Sequence, residues 1–203
     1  MESKKIGIMG GTFNPIHNGH LALANAAFRY CELDEVWFMP SGISYLKLHD
    51  NVVPAHHRLK MTELAVEPYP LFKVSDIEVE REGNTYTVDT LRFLHDKYPE
   101  FKFYFIMGAD SLYGLPKWKE PEVIASLCSF AVVTRDDIDS QELMEKAECI
   151  KTSLKADVII VPFSKLNISS RNIREMLKNN CSVDGILPEK VLNYIKKNCL
   201  YSK

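Results

Sequence analysis

Short apolar runs rich in β-branched and aromatic residues alternate along the chain with stretches in which apolar residues recur at helical spacing. The short runs predict six strands: Lys5–Met9, Glu35–Met39, Phe72–Val79, Lys102–Met107, Ser129–Thr134 and Asp157–Val161. The helical spacing predicts three apolar faces. The first contains Leu21, Ala24 and Phe28, the second contains Leu59, Leu64 and Ala65 with Met61 off the face, and the third contains Leu91, Leu94 and His95. A further helix is expected after Pro121, since proline suits the first helical position. Past the last strand only helices are predicted, at Ser170–Asn179 and Pro188–Asn198.

Strands that alternate with helices imply βαβ units and a mainly parallel sheet. Nearly continuous apolar runs such as Val36–Met39 fit strands that helices cover on both faces. We therefore predict a doubly wound, Rossmann-like α/β fold, with residues 1–203 as a single domain that has a helical C-terminal part from about residue 168. Ligands of such sheets bind at the carboxyl ends of the strands. The loops after Met9, Met107 and Val161 are thus expected to converge.

Composition narrows the class of protein. The 203 residues are 46% hydrophobic and 26% charged, which is typical of a globular protein, and the net charge of −2 argues against a general nucleic-acid coat. The five cysteines show no C-x-x-C spacing, and neither a signal peptide nor an apolar run of membrane length is present. We expect a cytoplasmic protein with reduced thiols and no membrane or nucleic-acid partner, and a homo-oligomer remains compatible with the sequence.

The loop after the first strand carries unusual chemistry. Gly10 and Gly11 lack β-carbons where the backbone then approaches a ligand closely, yet their spacing matches neither the dinucleotide fingerprint nor the P-loop. His17 and His20 stand one turn apart at the start of the next helix, where free N–H groups and the helix dipole favour an anion. The alternatives are a helix cap and a metal site, although no carboxylate or thiolate stands at a matching spacing.

Two further strand exits carry polar residues. Ser169 and Ser170 open a predicted helix and offer a cap and further donors, and Arg174 adds a cation one turn later. Simple capping of a surface helix is the alternative. Gly108 and Asp110 follow the strand Lys102–Met107 and suit ribose hydroxyls, with a capped turn as the alternative.

The run from Gly10 to His20, read Gly-Gly-Thr-Phe-Asn-Pro-x-His-x-Gly-His, resembles the H-x-G-H signature of the nucleotidyltransferase superfamily, and in its full length the bacterial nicotinate mononucleotide adenylyltransferases. The resemblance extends from Ile6 to about Tyr201. It implies that catalysis falls to His17, His20 and Arg174, with the histidines stabilising charge on the α-phosphate of ATP. It further implies that ATP is held by Gly10, Gly11, Thr12, Phe13, Lys47, Gly108, Asp110, Ser169 and Ser170.

The second motif, Ile168–Arg174, is similar to the family's motif for the β- and γ-phosphates, but Arg171 stands where threonine is common. The loop after the second strand also departs from the family: Lys47 is kept, while the usual prolines and histidine are absent, and His49 lies two residues on. The stretch around Tyr86 and Thr87 resembles the part that contacts the nicotinate. In the segment Leu115–Trp118, Trp118 is expected to stack near the pyridine ring.

The implied reaction is attack by the 5′-phosphate of nicotinate mononucleotide on the α-phosphorus of ATP, which gives deamido-NAD and pyrophosphate. Mg²⁺ is expected on the ATP phosphates, with no protein metal site. The rival acceptors are nicotinamide mononucleotide and phosphopantetheine, and cytidylyltransferases share the fold. A catalytically silent nucleotide sensor is the alternative outside the enzymes.

Overall fold

The computed structural model describes residues 3–42, 52–134, 140–163 and 168–202. Over these residues the strands are β1 (Lys5–Gly11), β2 (Glu35–Pro40), β3 (Phe72–Val74), β4 (Lys102–Gly108), β5 (Ser129–Val133) and β6 (Val158–Val161). The helices are α1 (Asn18–Tyr30), α2 (Ala55–Val66), α3 (Thr87–Lys97), α4 (Ala109–Gly114), α5 (Pro121–Leu127), α6 (Ser140–Leu154), α7 (Ser170–Lys178) and α8 (Glu189–Lys197). A 3-10 turn at Leu115–Lys117 follows α4.

The six strands form one sheet in the order β3-β2-β1-β4-β5-β6. β1 pairs with β4, β4 with β5 and β5 with β6, each in parallel register. The chain builds one half of the sheet outward from β1 to β3 and then returns to build the other half from β4 to β6, which is the doubly wound arrangement. The predicted fold class is confirmed.

Burial explains why these segments are strands. In β5, the side chains of Phe130, Ala131, Val132 and Val133 are all fully buried, so the run is apolar without alternation. This is the pattern of a parallel strand that is covered on both faces.

The chain divides into two compact units. The first is built from described residues within Met1–Met9, Leu23–Trp37 and Tyr86–Lys165, and the second from those within Gly10–Ala22, Phe38–Thr85 and Leu166–Lys203. The phosphate-binding candidates near His17 and Arg174 belong to the second unit. The acceptor candidates near Trp118 belong to the first. The single-domain assignment stays a prediction.

The third strand is shorter than its sequence pattern predicts. It ends at Val74, whereas the apolar alternation continues to Val79. Both Val79 and Glu80 donate their backbone N–H to the carbonyl of Asp76, at 2.7 and 2.9 Å. These donors close a turn and are therefore not offered to a neighbouring strand.

The buried face of α2 also differs from the predicted one. Met61 was expected to lie off the apolar face, but it is fully buried together with Arg58, Thr62 and Ala65. These positions have the spacing i, i+3, i+4, i+7 of one helical face. The prediction was wrong because the buried face of α2 includes Arg58, and an arginine carries no apolar signal in the sequence. The placement of His95 on the apolar face of α3 was also wrong, since His95 is exposed and Val88, Leu91 and Leu94 form the buried face.

Helix α6 was not predicted, although it provides the crossover between two parallel strands. Leu143, Ala147 and Ile150 give it a buried stripe at helical spacing. Across the described ranges, no helix is both long and apolar enough to cross a membrane.

Candidate active site

The turn that leaves β1 is shaped by a phenylalanine in a left-handed conformation. Phe13 has a φ of +48°, which is uncommon for a residue with a β-carbon and stores strain. Its ring is buried and lies directly over Gly11, where an added β-carbon would be 2.8 Å from Cε1 of Phe13. Gly11 is thus needed so that the ring of Phe13 can fold back over the backbone.

The ring of Phe13 in turn supports one of the two histidines. It meets the imidazole of His20 edge to face, with ring centroids 5.1 Å apart. The rings of His17 and His20 are stacked, with centroids 3.7 Å apart and planes 21° apart. The structure therefore brings together His17, His20 and the glycine turn, as the sequence predicts.

A reciprocal pair of hydrogen bonds fixes the orientation of the two imidazoles. Nδ1 of His20 accepts the backbone N–H of His17 at 3.2 Å, and Nδ1 of His17 accepts the backbone N–H of His20 at 3.3 Å. The His20 N–H is shared, since it also donates to the carbonyl of His17 at 2.9 Å. A nitrogen that accepts a hydrogen bond carries no proton, so the proton of each neutral ring resides on Nε2. Both rings are thereby set to donate from Nε2.

Gly19, between the two histidines, leaves the space in which His17 lies. A β-carbon at this position would be 3.0 Å from Nδ1 and 3.1 Å from Cε1 of His17. Contacts this short would require the imidazole of His17 to shift by a few tenths of an ångström against His20. The glycine of the H-x-G-H run therefore has a steric role in holding the histidine pair.

Helix α1 begins at Asn18, immediately after His17. Asn18 donates its backbone N–H to the carbonyl of Ile186 at 3.0 Å and its side-chain amide to the carbonyl of Gly185 at 2.9 Å. These bonds anchor the first turn of the helix to the segment before α8. The positive end of the helix dipole is therefore held at the histidine pair, which favours an anion there.

The start of α7 lies against the same loop. Ser169 caps the helix, with Oγ accepting the backbone N–H of Asn172 at 3.2 Å. Ser170 donates its hydroxyl to the carbonyl of Pro15 at 2.9 Å, and Nη1 of Arg174 donates to the carbonyl of Asn14 at 2.8 Å. The two predicted phosphate motifs therefore meet, although they are separated by about 150 residues in sequence.

These contacts refine what each side chain at the start of α7 offers a ligand. The Ser169 hydroxyl accepts within the cap and keeps its proton for donation. Ser170 uses its proton on Pro15, so it ties α7 to the loop that leads to His17. The side chain of Arg171, which departs from the family pattern, is exposed.

A buried arginine, for which the sequence predicted no role, supports the glycine turn through its backbone. The guanidinium of Arg58 donates to the carbonyls of Val53, Thr12 and Gly42 at 3.1, 2.9 and 3.0 Å. Burial lowers the pKa of Arg58, although the nearby Tyr201 raises it. The available signal was an arginine at helical spacing with Met61 and Ala65 on the apolar face of α2.

The candidates at the exit of β4 lie in the other unit. Gly108 precedes α4, and Asp110 is exposed in its first turn. Trp118 follows the 3-10 turn, is half-buried, and meets Phe105 edge to face at 5.7 Å between ring centroids. The indole thus has one supported edge and a partly accessible surface.

Tyr86 and Thr87 form the start of α3 in the same unit. Tyr86 is the residue before the helix, and Thr87 is its first residue. Nζ of Lys119, the neighbour of Trp118, lies 4.6 Å from the centre of the Tyr86 ring and 3.1 Å from a carboxylate oxygen of Asp89. This cation links the segment that carries Trp118 to the start of α3.

Two further expectations concern the altered loop after β2 and the presence of a protein metal site. Lys47 and His49, the remaining residues of the altered loop, lie outside the described residues. Within the described ranges, no group of three His, Cys, Asp or Glu side chains is arranged to hold a metal ion.

Comparisons with known proteins find relatives over nearly the whole length of this chain. The family model for cytidylyltransferase-like proteins matches residues 8–176. A probable nicotinate-nucleotide adenylyltransferase of Lachnoclostridium phytofermentans is 42% identical over 98% of this chain and 99% of its own length. The nicotinate-nucleotide adenylyltransferase of Bacillus subtilis is 39% identical over 98% of each chain.

Solved structures share the fold at lower sequence identity. The nicotinic acid mononucleotide adenylyltransferase of Plasmodium falciparum complexed with NaAD superimposes with a TM-score of 0.78 at 20% identity, over 98% of this chain and 97% of that one. The same enzyme complexed with APC gives a TM-score of 0.76 at 21% identity, over the same shares of the two chains. At this identity the likeness shows the fold.

Proposed function

This chain belongs to the cytidylyltransferase-like family, among its nicotinate-nucleotide adenylyltransferases, and from that premise we propose how its residues act. It is a nucleotidyltransferase of NAD biosynthesis that transfers AMP from ATP to nicotinate mononucleotide and gives deamido-NAD and pyrophosphate. Its substrates are small molecules. We also propose a cytoplasmic location, since its five cysteines are all free thiols.

The observation that carries the mechanism is the reciprocal bonding of the two histidines. Because both Nδ1 atoms accept backbone N–H groups, His17 and His20 each carry the proton of the neutral ring on Nε2, beside the start of α1. Two such donors beside a helix N-terminus suit the non-bridging oxygens of the α-phosphate, whose negative charge grows as the acceptor phosphate attacks. The attacking oxygen is already anionic, so no side chain has to act as a nucleophile or remove a proton.

The start of α7 is proposed to hold the leaving pyrophosphate. Arg174 supplies a planar cation with several donors, and Ser169 supplies the hydroxyl proton that its cap does not use. When ATP binds, Nη1 of Arg174 keeps its bond to the Asn14 carbonyl, and the other N–H groups of the guanidinium donate to phosphate oxygens. Mg²⁺ carried by the nucleotide would supply neutralisation of the charge on the β- and γ-phosphates. The described donors fit an ion that is carried by the nucleotide and water, because they are cations, hydroxyls and N–H groups that bind phosphate.

Acceptor binding is proposed to fall to Trp118, Tyr86 and Thr87. The half-buried indole of Trp118 offers a flat surface to the pyridine ring, and its edge contact with Phe105 holds it in place. Thr87, as the first residue of α3, offers a hydroxyl and a helix N-terminus to the nicotinate carboxylate. Gly108 and Asp110 are proposed to contact the ATP ribose.

The reaction is tested by measuring pyrophosphate release from ATP with nicotinate mononucleotide, nicotinamide mononucleotide or phosphopantetheine offered separately. We expect turnover with nicotinate mononucleotide. Absence of turnover with all three acceptors, from a protein with a cooperative melting transition, contradicts the assignment as an enzyme.

The role of the histidines is tested with His20→Ala. We expect kcat to fall by about two orders of magnitude, the scale for loss of one transition-state donor. His95→Ala is the matched control, because His95 is exposed on α3 outside the proposed site, and it should leave kcat unchanged. A fall of less than about threefold for His20→Ala would mean that His20 has been given the wrong role.

A second variant tests the orientation of the donors without removing one. Gly19→Ala keeps both imidazoles but sets a methyl group against the ring of His17, so we expect a large loss of kcat here as well. Wild-type kcat in this variant would show that the stacked arrangement is not required.

A further inference from the structure

Asn14 joins three separate segments of the second compact unit. Its side chain is 4% exposed, and its Oδ1 lies 3.3 Å from the backbone nitrogen of Val53 and 2.7 Å from the hydroxyl of Tyr201. A backbone N–H can only donate, so the atom that faces it is the amide oxygen. The hydroxyl of Tyr201 approaches the same oxygen and therefore donates to it as well.

The backbone of Asn14 connects this junction to the proposed phosphate site. Its carbonyl accepts Nη1 of Arg174, and the next carbonyl, of Pro15, accepts the Ser170 hydroxyl. His17 follows two residues later. Any rotation of the Asn14 peptide would therefore move the acceptor of Arg174 and the residues that lead to His17.

Tyr201 is held so that its hydroxyl remains a donor. Its ring is buried, and its backbone has a φ of +62°, a left-handed conformation that is costly for tyrosine. Burial raises the pKa of Tyr201, and the cations of Arg174 and Arg58 lower it by less. The hydroxyl accordingly keeps its proton at neutral pH.

We propose that Tyr201 is a positioning residue for adenylyl transfer: through Oδ1 of Asn14, its hydroxyl holds the peptide that orients Arg174 and precedes His17. The proposal rests on the proposed function. Tyr201 touches no reacting atom, and its effect on the phosphates passes through Asn14.

The first test is Tyr201→Phe, which removes one hydroxyl and keeps the ring. We expect kcat to fall by about three- to tenfold, the fold-change for one net hydrogen bond, with the KM for nicotinate mononucleotide unchanged. Tyr194→Phe is the matched control, since the Tyr194 hydroxyl bonds to Nδ1 of His57 at 2.9 Å. It should keep wild-type kcat.

The readings of this pair are distinct. Equal kcat in Tyr201→Phe and the wild type overturns the proposal. Equal losses of kcat in both tyrosine variants also overturn it, because the effect would then be a general weakening of the fold. If neither the wild type nor the Tyr194→Phe control turned over substrate, the result would instead contradict the proposed function.

The second test asks whether the effect passes through Asn14. Asn14→Asp keeps an oxygen for both donors, so Tyr201→Phe should still lower kcat by about three- to tenfold in that background. Asn14→Leu removes the acceptor, and there the loss of the hydroxyl should have no further effect. If Asn14→Leu fails to fold, the aspartate background decides alone. Additive losses in the leucine background, or no loss in the aspartate background, overturn the route through Asn14.

Discussion

Replacing Arg58 with methionine tests how the glycine turn is held. The guanidinium is 2% exposed and donates to three carbonyls from three segments, those of Val53, Thr12 and Gly42. Methionine fills much of the same volume but donates nothing. Arg58→Met therefore leaves three carbonyls of half-buried residues without this donor and frees the backbone of Thr12.

The magnitude follows from these three bonds. A buried polar group that loses its partner costs about 1–3 kcal/mol, so three carbonyls give about 3–9 kcal/mol. We take the lower end, about 3 kcal/mol, because removal of the cation also removes its own cost of desolvation, which is the main cause of the lowered pKa of Arg58. For a chain of this size, that lowers Tm by about 6–12 °C.

The assay is thermal unfolding followed by circular dichroism, with kcat measured well below the melting transition. Arg58→Lys is the informative partner, because an ammonium keeps the charge but cannot reproduce a planar fork that reaches three directions. Most of the loss should therefore remain. Arg29→Met, at an exposed position in the last turn of α1, should change stability by less than about 0.5 kcal/mol. A Tm within about 2 °C of the wild type for Arg58→Met, or full recovery with lysine, would refute the reasoning.

Three further predictions follow from single contacts. Trp118→Ala should raise the KM for nicotinate mononucleotide by about tenfold and leave the KM for ATP unchanged. Steady-state kinetics with each substrate varied in turn will measure both constants. An equal rise in both would contradict a role of Trp118 in the acceptor site. Burial raises the pKa of Cys128 to about 12, so a chromogenic disulfide reagent should titrate the three exposed thiols rapidly and Cys128 only after unfolding. Burial, with a smaller effect of His56, lowers the pKa of His57 below its usual 6.5. The imidazole of His57 therefore binds a proton more tightly in the unfolded chain than in the folded one, and the stability of the fold decreases as the pH falls through 6.5. His57→Gln should therefore show a smaller decrease in Tm between about pH 7 and pH 5, and an unchanged decrease would exclude His57 as a cause.

The sequence predicted the sheet because each strand carries its own local signal. Val36–Met39 and Phe130–Val133 are apolar without interruption, and each is preceded or followed by turn residues. The cap by Ser169 was equally local, since the serine and the N–H that it accepts are three residues apart. Helix α6 carries a local signal of the same kind in Leu143, Ala147 and Ile150, although the helix was not predicted.

Other features depend on residues that meet only after folding. The role of Arg58 depends on Thr12 and Gly42, which lie 46 and 16 residues before it. The helical spacing of the apolar residues alone predicted a different buried face for α2. Arginine is rarely buried and carries no apolar signal, so the spacing did not include Arg58. Gly19 could be seen as permissive in the sequence, but the steric reason lies in the ring of His17.

The hydrogen bonds that join the segments of the proposed phosphate site also determine when it can form. Ser170 reaches Pro15, Arg174 reaches Asn14 and Tyr201 reaches Asn14 across 155, 160 and 187 residues of chain. During synthesis on a ribosome, the glycine turn and both histidines emerge long before Ser170, Arg174 and Tyr201. A nascent or prematurely terminated chain that lacks residue 174 has the histidine pair without its arginine. Full ATP-dependent activity therefore appears late in translation, which a pulse-chase assay of stalled chains would follow directly.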